Sequence, residues 1–491
     1  MKNKYILEIT TFIAGGIGMI IELVAARILS PYLGNSNLIW TCIIGMMLAF
    51  MSLGYFLGGK ISDKHPKINL LSLFILDAAI FISIISLIEI YIIKPLSNTK
   101  LNLSLIAIIA STVTFGIPSL LLATASPFSV KLKEKEIDEI GKVSGRMSAC
   151  STVGSIVGTF LAGFVLIPKL GVRNIILIAV IILSILSFAL RENKDIKYII
   201  KSIIITSLLI IVVILSKTVF NQKNPEILVD TDSQYSRIWI KKIFDSNGKE
   251  YNALQVDLAL ESINSENNKL TSTYLKYYDL FDYYKPDSKN ILMIGGAAYT
   301  YPKYYLEKFP NNKIDVVEID PKMTELAKQY FRLDTKNPNI NIYHEDGRRY
   351  LNTNNKKYDC ILIDAFKGLN PPFQLTTFEA MQEAKKSLTD DGIVITNIVG
   401  SLKGENSKMI NYEYATYKAI FEDVKVFQVQ KEYFKDDEIQ NIILIGFKRK
   451  ENPDLLDSEK LEQYRSLLGK ELKKYEFTEK IATDDLCPIG I

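Results

Sequence analysis

Histidine and cysteine are nearly absent from this chain. Its 491 residues hold two histidines, His65 and His344, and four cysteines, Cys42, Cys150, Cys360 and Cys487, with no paired spacing among them. That scarcity argues against a histidine-built metal centre, a zinc site and a disulfide framework, and leaves metal-independent chemistry as the expectation. Excess charge of one sign is missing too. The 58 Lys and Arg face 54 Asp and Glu, a net +4, and the lysines are scattered, so no nucleic-acid footprint is expected.

What is present divides in two. A hydrophobic content of 48% with 23% charge averages an apolar half, Met1 to about Phe220, and a mixed, lysine-rich and acidic half from Asn221 onward, parted near "NQKNPE". A membrane span needs about 20 apolar residues to cross about 30 Å of hydrocarbon. Seven segments qualify: Tyr5–Leu29, Leu38–Gly59, Ile68–Ile93, Leu101–Ala125, Met147–Pro168, Asn174–Leu190 and Tyr198–Phe220. The seventh is the weakest, with a charge-free core of only Ser202–Ser216 between Lys201 and Lys217. The first reads as a retained span, since no small-residue cleavage site follows it.

Gly154, Gly158 and Ala162 recur at helical spacing, which suits close helix packing. Glu22, Arg27 and Asp77 fall inside spans. Charge at that depth is costly, so each is a candidate for a polar cavity, against the plainer readings of a snorkelling Arg27 and of acids bonded across helices. Fourteen Lys and Arg lie on the loops of one side and four on the other, which puts the N-terminus in the cytoplasm of a multi-pass cell-membrane protein. Seven spans then favour an external C-terminal half, in tension with any use of an intracellular nucleotide.

From Glu226 the pattern turns to alternating strands, with "SNGK" (Ser246–Lys249) as a hairpin turn and "TYLKYYDLFDYY" as an aromatic helix. Strand and helix then alternate as in a doubly wound parallel sheet, whose ligands sit at the carboxyl ends of the strands. Those ends carry usable groups. Gly295 and Gly296 turn the chain after the first strand, Glu318 closes the second, 23 residues beyond Gly295, and Asp346 and Asp364 follow the third and fourth. An acid at the second strand end can accept both hydroxyls of a ribose. The competing reading is that these acids only cap helices and loops.

These residues resemble a known family. "ILMIGGAAYTYP", "VVEIDPKM", "HEDGRRYL" and "YDCILIDAF" are similar to successive motifs of spermidine synthase, and "PPFQLTTFEA", "TDDLCP" and "ELVAARILSPYLG" resemble its membrane-fused branch. The resemblance implies a seven-span helical membrane domain (1–220), a β-hairpin subdomain with connecting helix (226–285) and an α/β catalytic domain of the S-adenosylmethionine-dependent methyltransferase type (286–491). It further implies that Glu318 holds the ribose of decarboxylated S-adenosylmethionine, Asp346 with Gly347 the adenine, and Gly295 and Gly296 the sulfonium side. Tyr235, Asp257, Glu261 and Tyr274 would border the acceptor, and Asp364 would stand between donor and amine as the catalytic acid-base group.

The chain departs from the family where the second acid of the D-x-x-D loop is Lys367 and the turn acid is Ala298; Asp484 and Asp485 are carboxylates that could offset the loss. The expected activity is aminopropyl transfer to a small-molecule amine such as putrescine, with no metal, and a homodimer among the assemblies to expect. The alternatives are a methyltransferase using S-adenosylmethionine itself and a non-catalytic polyamine or nucleotide sensor or transporter.

Overall fold

The computed structural model describes residues 5–34, 36–133, 140–192, 196–264, 269–366, 372–450, 458–473, 477 and 480–487. Lys367, on which the departure from D-x-x-D rests, lies outside them. The chain forms two compact units, Met1–Trp239 and Ile240–Ile491, and the division falls within a strand.

The first unit is built of seven helices long and apolar enough to cross a membrane: α1 (Ile6–Leu33), α2 (Asn37–Lys64), α3 (Ile68–Ser97), α4 (Leu103–Lys133), α5 (Ile140–Leu170), α6 (Val172–Leu190) and α7 (Tyr198–Lys223). Glycine sets the closest approach. A Cβ on Gly154 would stand 2.0 Å from the Phe12 carbonyl oxygen, and one on Gly158 2.3 Å from that of Gly16, so α1 and α5 pack backbone to backbone. Three helices carry a π turn: Glu89–Ile93 in α3, Thr112–Gly116 in α4 and Ala162–Leu166 in α5. Large apolar side chains face outward, Phe56 at 65%, Phe164 at 63% and Ile185 at 61% exposure.

Charge buried in this unit is mostly paired. Glu89 of α3 accepts from Arg237 at 3.0 Å and from the Tyr32 hydroxyl at 3.3 Å, with Arg173 at 3.5 Å. Arg237 also donates to both oxygens of Asp230 at 3.0 Å, and the Trp239 indole donates to the same carboxylate at 2.8 Å. Asp232 accepts from the Val172 amide at 3.0 Å. Burial alone would raise the Asp230 carboxyl, but the Arg237 guanidinium wins and holds it at about 2, whereas burial prevails at Asp232 and lifts it to about 6. Asp230 and Asp232 belong to strand β1 (Ile227–Asp232), and Arg237 opens β2 (Arg237–Phe244). Arg27 donates to the Gln234 carbonyl at 2.7 Å. Among the described residues, Glu22 and Asp77 have no hydrogen-bond or ion-pair partner.

The second unit opens with the antiparallel pair β3 (Glu250–Val256) and β4 (Ala259–Ile263). The "SNGK" turn forms as its sequence demands, with Gly248 at φ +79°. The aromatic segment differs from a single helix: Thr273–Asp279 is 3-10 and only Leu280–Tyr284 (α8) is α-helical. Three residues per turn stack Tyr274 over Tyr277 and Leu275 over Tyr278, which drives this tyrosine-rich edge into the core.

The main sheet has seven strands: β5 (Asn290–Ile294), β6 (Lys313–Val317), β7 (Ile340–Tyr343), β8 (Tyr358–Ile363), β9 (Leu388–Gly400), β10 (Asp423–Gln428) and β11 (Gln440–Phe447). Their order is β10-β11-β9-β8-β5-β6-β7. The strands from β5 to β9 pair in parallel, and β11 runs antiparallel between β9 and β10, which is a methyltransferase-like α/β fold. Helices α9 (Thr300–Lys308), α10 (Pro321–Tyr330), α11 (Gly347–Thr353), α12 (Phe378–Ser387) and α13 (Lys408–Ile420) connect the strands, and α14 (Ser458–Leu468) follows them. Strands covered on both faces read as apolar runs; Ile291, Leu292, Ile361, Leu362 and Val394 are fully buried. Strand order reverses between β5 and β8, which opens a crevice at their carboxyl ends.

Candidate active site

The turn after β5 is built around Gly295. Its φ of +98° favours glycine, and a Cβ there would stand 2.2 Å from the Asp364 carbonyl oxygen, so the turn lies directly on the backbone at the end of β8. Ala297 and Tyr299 continue the turn at φ +45° and +55°, an unfavourable conformation for side-chain-bearing residues that this packing holds in place. Tyr299 is fully buried, and its hydroxyl meets the Thr324 hydroxyl at 2.7 Å.

Glu318, at the end of β6, holds this turn. One carboxylate oxygen accepts from the amides of Gly296 at 2.8 Å and Ala297 at 3.0 Å, and the other from Asp320 at 2.9 Å. Burial raises this carboxyl in spite of those three donors. The oxygen that accepts from Asp320 keeps a second lone pair for a ligand hydroxyl, whereas the other already accepts twice.

Asp346 is the N-cap of α11, accepting from the Arg349 amide at 3.0 Å, as the plainer reading of its position expects. Its other oxygen accepts from the Gln374 side chain at 3.3 Å. Gly347 beside it is required by space, since a Cβ would stand 2.5 Å from Ile294.

At the end of β8, Asp364 accepts from the Tyr274 hydroxyl at 3.1 Å and from the Asn397 side chain at 3.2 Å. Burial pushes its carboxyl up against those donors. Glu261, on β4, is pushed up to about 8, first by burial and then by the charges of Asp364, Glu318 and Asp257. Its Oε1 is buried with no hydrogen-bond partner among the described residues. Asp257 occupies the β3–β4 turn at φ +49° and is 2% exposed. Acids from β6, β8 and the hairpin turn thus act on Glu261 of β4 in one buried place.

Tyr235 belongs to the other compact unit, in the turn between β1 and β2. Asp484 does not join the acids. It is bound by Arg348 at 3.0 Å and by the Thr377 hydroxyl at 2.7 Å, which corrects its reading as a replacement carboxylate: a bidentate arginine fixes the C-terminal segment to the start of α12. Asn397 and Gln374 were not singled out by sequence. The first directly follows the part of β9 that pairs in parallel with β8, so the strand-end logic that found Glu318 and Asp364 would have found it; the second carries no local signal. Among the described residues, no three His, Cys, Asp or Glu side chains converge so as to hold a metal ion.

Comparison with known proteins adds resemblances. Residues 279–437 match the model of the spermine/spermidine synthase domain. The chain is similar to a polyamine aminopropyltransferase of Vibrio vulnificus, 32% identical over 152 residues that cover 30% of this chain and 49% of that protein. It is also similar to polyamine aminopropyltransferase 2 of Aquifex aeolicus, 23% identical over 415 residues that cover 81% of this chain and 79% of that one. The latter match is too long to be confined to the second unit and must run into the seven helices. The chain spans about half or less of the length of the first curated relatives it matches. A solved probable spermidine synthase from Corynebacterium glutamicum is similar over 52% of this chain and 96% of its own, at 20% identity and a TM-score of 0.43.

Proposed function

We propose that this chain, a spermine/spermidine synthase domain fused to seven apolar helices, is a membrane-embedded aminopropyltransferase acting on a small amine such as putrescine. The observation that carries the reading is the group of acids Asp257, Glu261, Glu318 and Asp364: burial first, and then the charges of the other three, hold Glu261 up at about 8. A site of that kind is completed by a cation. Loss of the second D-x-x-D acid at Lys367 is offset by Glu261, which supplies a carboxyl on the acceptor side.

In the reaction, an amine nitrogen attacks the propyl carbon next to the sulfonium of decarboxylated S-adenosylmethionine. The new C–N bond forms as the C–S bond breaks, and methylthioadenosine leaves. Before attack the ammonium loses its proton, and Asp364 is the group we assign to receive it; Tyr274 and Asn397 fix its orientation. Glu318, with the Gly295–Gly296 turn it holds, takes the ribose and the sulfonium side of the donor, and Asp346 takes the adenine amino group. The seven helices support the membrane reading through their outer faces. Phe56, Phe164 and Ile185 would otherwise stand in water as large apolar patches.

A methyltransferase using S-adenosylmethionine is the second reading, favoured by Ala298 at the turn, where loss of an acid makes room for the donor carboxylate. The acid group weighs against it, because that donor would bring another negative charge beside Glu318 and Glu261. Mass spectrometry of the nucleoside released by the full-length chain decides the matter. Methylthioadenosine supports aminopropyl transfer; S-adenosylhomocysteine overturns it.

A further inference from the structure

The carboxylate of Asp346 is held from two sides. Its Oδ1 accepts from the Arg349 amide at 3.0 Å, and its Oδ2 accepts from the side-chain amide of Gln374 at 3.3 Å. The first bond is the ordinary cap of α11. The second comes from a different element, the 3-10 turn Phe373–Leu375, and plays no part in capping. An ionised carboxylate only accepts, whereas the Gln374 nitrogen carries two N–H groups, of which Asp346 takes one. The other N–H has no partner among the described residues.

The turn that bears Gln374 is fastened to the turn that bears Asp346. Arg348, two residues beyond Asp346, donates from Nη1 to the Gln374 backbone carbonyl at 3.3 Å and to the Thr377 hydroxyl at 3.1 Å, and from Nη2 to Asp484 at 3.0 Å. Thr377 is fully buried and donates in turn to Asp484 at 2.7 Å. Leu375, 4% exposed, packs over Gly347, where a Cβ would stand 3.4 Å from both leucine methyls. The backbone that carries Gln374 therefore cannot leave Asp346 without unseating a guanidinium and a buried leucine. Large apolar side chains adjoin the site residues in sequence and stand uncovered: Ile319 after Glu318 at 37% exposure, and Phe373 before Gln374 at 56%.

We infer that Gln374 reads the base of the donor nucleoside together with Asp346, and that the pair selects adenine over a 6-oxopurine. Adenine presents an amino donor beside a ring-nitrogen acceptor on its edge. Asp346 and Gln374 present the complement, an acceptor and a donor side by side. Hypoxanthine carries a carbonyl where adenine carries the amino group, so its oxygen would face the Asp346 carboxylate. A site built to hydrogen-bond an N–H rejects the analogue that lacks it far more strongly than an apolar wall does. The inference deepens the proposed function and rests on its assignment of the adenine to Asp346. Gln374 is then a binding residue, and Arg348 is a positioning residue that acts through it.

The test titrates the full chain, in detergent micelles, with 5′-methylthioadenosine and with 5′-methylthioinosine by calorimetry. Wild type is expected to prefer the adenine nucleoside by about tenfold or more. Gln374→Met, close in shape but without the donor, is expected to bind methylthioadenosine about tenfold more weakly with little change for methylthioinosine, so that the preference shrinks. An equal loss for both nucleosides, or an unchanged preference, means that Gln374 only braces the turn and overturns the inference. Should Gln374→Met fail to fold, Gln374→Ala is measured in the same way, with the same shrinking preference expected. The underlying reading is tested by the wild type alone. Binding of neither nucleoside would sink the donor site itself, whereas equal binding of both leaves that site standing and overturns the inference.

Discussion

The two units treat buried charge in opposite ways. In the first, Glu89 and Asp230 are interleaved with Arg173 and Arg237, and each carboxylate is met by a guanidinium. In the second, the charges of Asp364, Glu318 and Asp257 add to burial in raising the proton affinity of Glu261. The first group meets its own charge. On the proposed function, a cationic substrate relieves the cost of gathering acids around Glu261, so the contrast separates charge that holds the fold from charge placed for a partner.

Breaking the acid group around Glu261 should cost activity and spare stability. Asp364→Asn is expected to lower turnover by about 10²–10⁴-fold while donor affinity and the thermal midpoint stay near wild type, as read by steady-state kinetics, calorimetry and a melting curve. Turnover near wild type would remove Asp364 from the chemistry. Breaking the paired group should do the reverse. Arg237→Met leaves Glu89 and Asp230 to Arg173 alone and is expected to destabilise the first unit by about 3 kcal/mol, seen in denaturant titration; an unchanged midpoint would mean that the cluster is not what holds this end together.

Glu318→Gln lies between the extremes, since Glu318 both holds the turn and is assigned the ribose. Donor affinity is expected to fall by about 1.5–3 kcal/mol, and unchanged affinity by calorimetry would sink the assignment. The smallest effect is a pH dependence. Glu261 titrates near 8 in the folded chain against an ordinary 4.5, so its proton stabilises the fold fully below 4.5, and that contribution is lost as pH rises through 8. The ligand-free chain is expected to lose on the order of 1 kcal/mol between pH 7 and 9, and Glu261→Gln to flatten this slope. Amine binding at pH 7 should release a proton, measured as a buffer-dependent heat. A slope that is the same in Glu261→Gln would place the titration elsewhere.

Much of this was legible in sequence. The seven helices declare themselves by length and apolarity, and Glu318 and Asp364 by their place after apolar strands. The π turns carry a local signal: each is followed by a proline, Pro95, Pro118 and Pro168, whose missing amide breaks the α-helical ladder at the carbonyl four residues back, inside the turn. Glu261 could be read as an acid near the acceptor; its raised proton affinity comes from burial and then from Asp364, about a hundred residues on, and no local pattern carries that. Asp484 misled for the same reason, since Arg348, which binds it, is distant in sequence.

The chain has two tryptophans, Trp40 and Trp239, and both belong to the first unit. Trp239, 6% exposed, donates to Asp230 beside Arg237, so its indole sits within the paired ionic cluster. Intrinsic tryptophan emission of the unmodified protein therefore reports on the paired cluster and on β2, the strand that carries Trp239 at the division. Loosening of the cluster should shift the Trp239 band, whereas events in the tyrosine-rich second unit beyond β2 are followed through tyrosine emission.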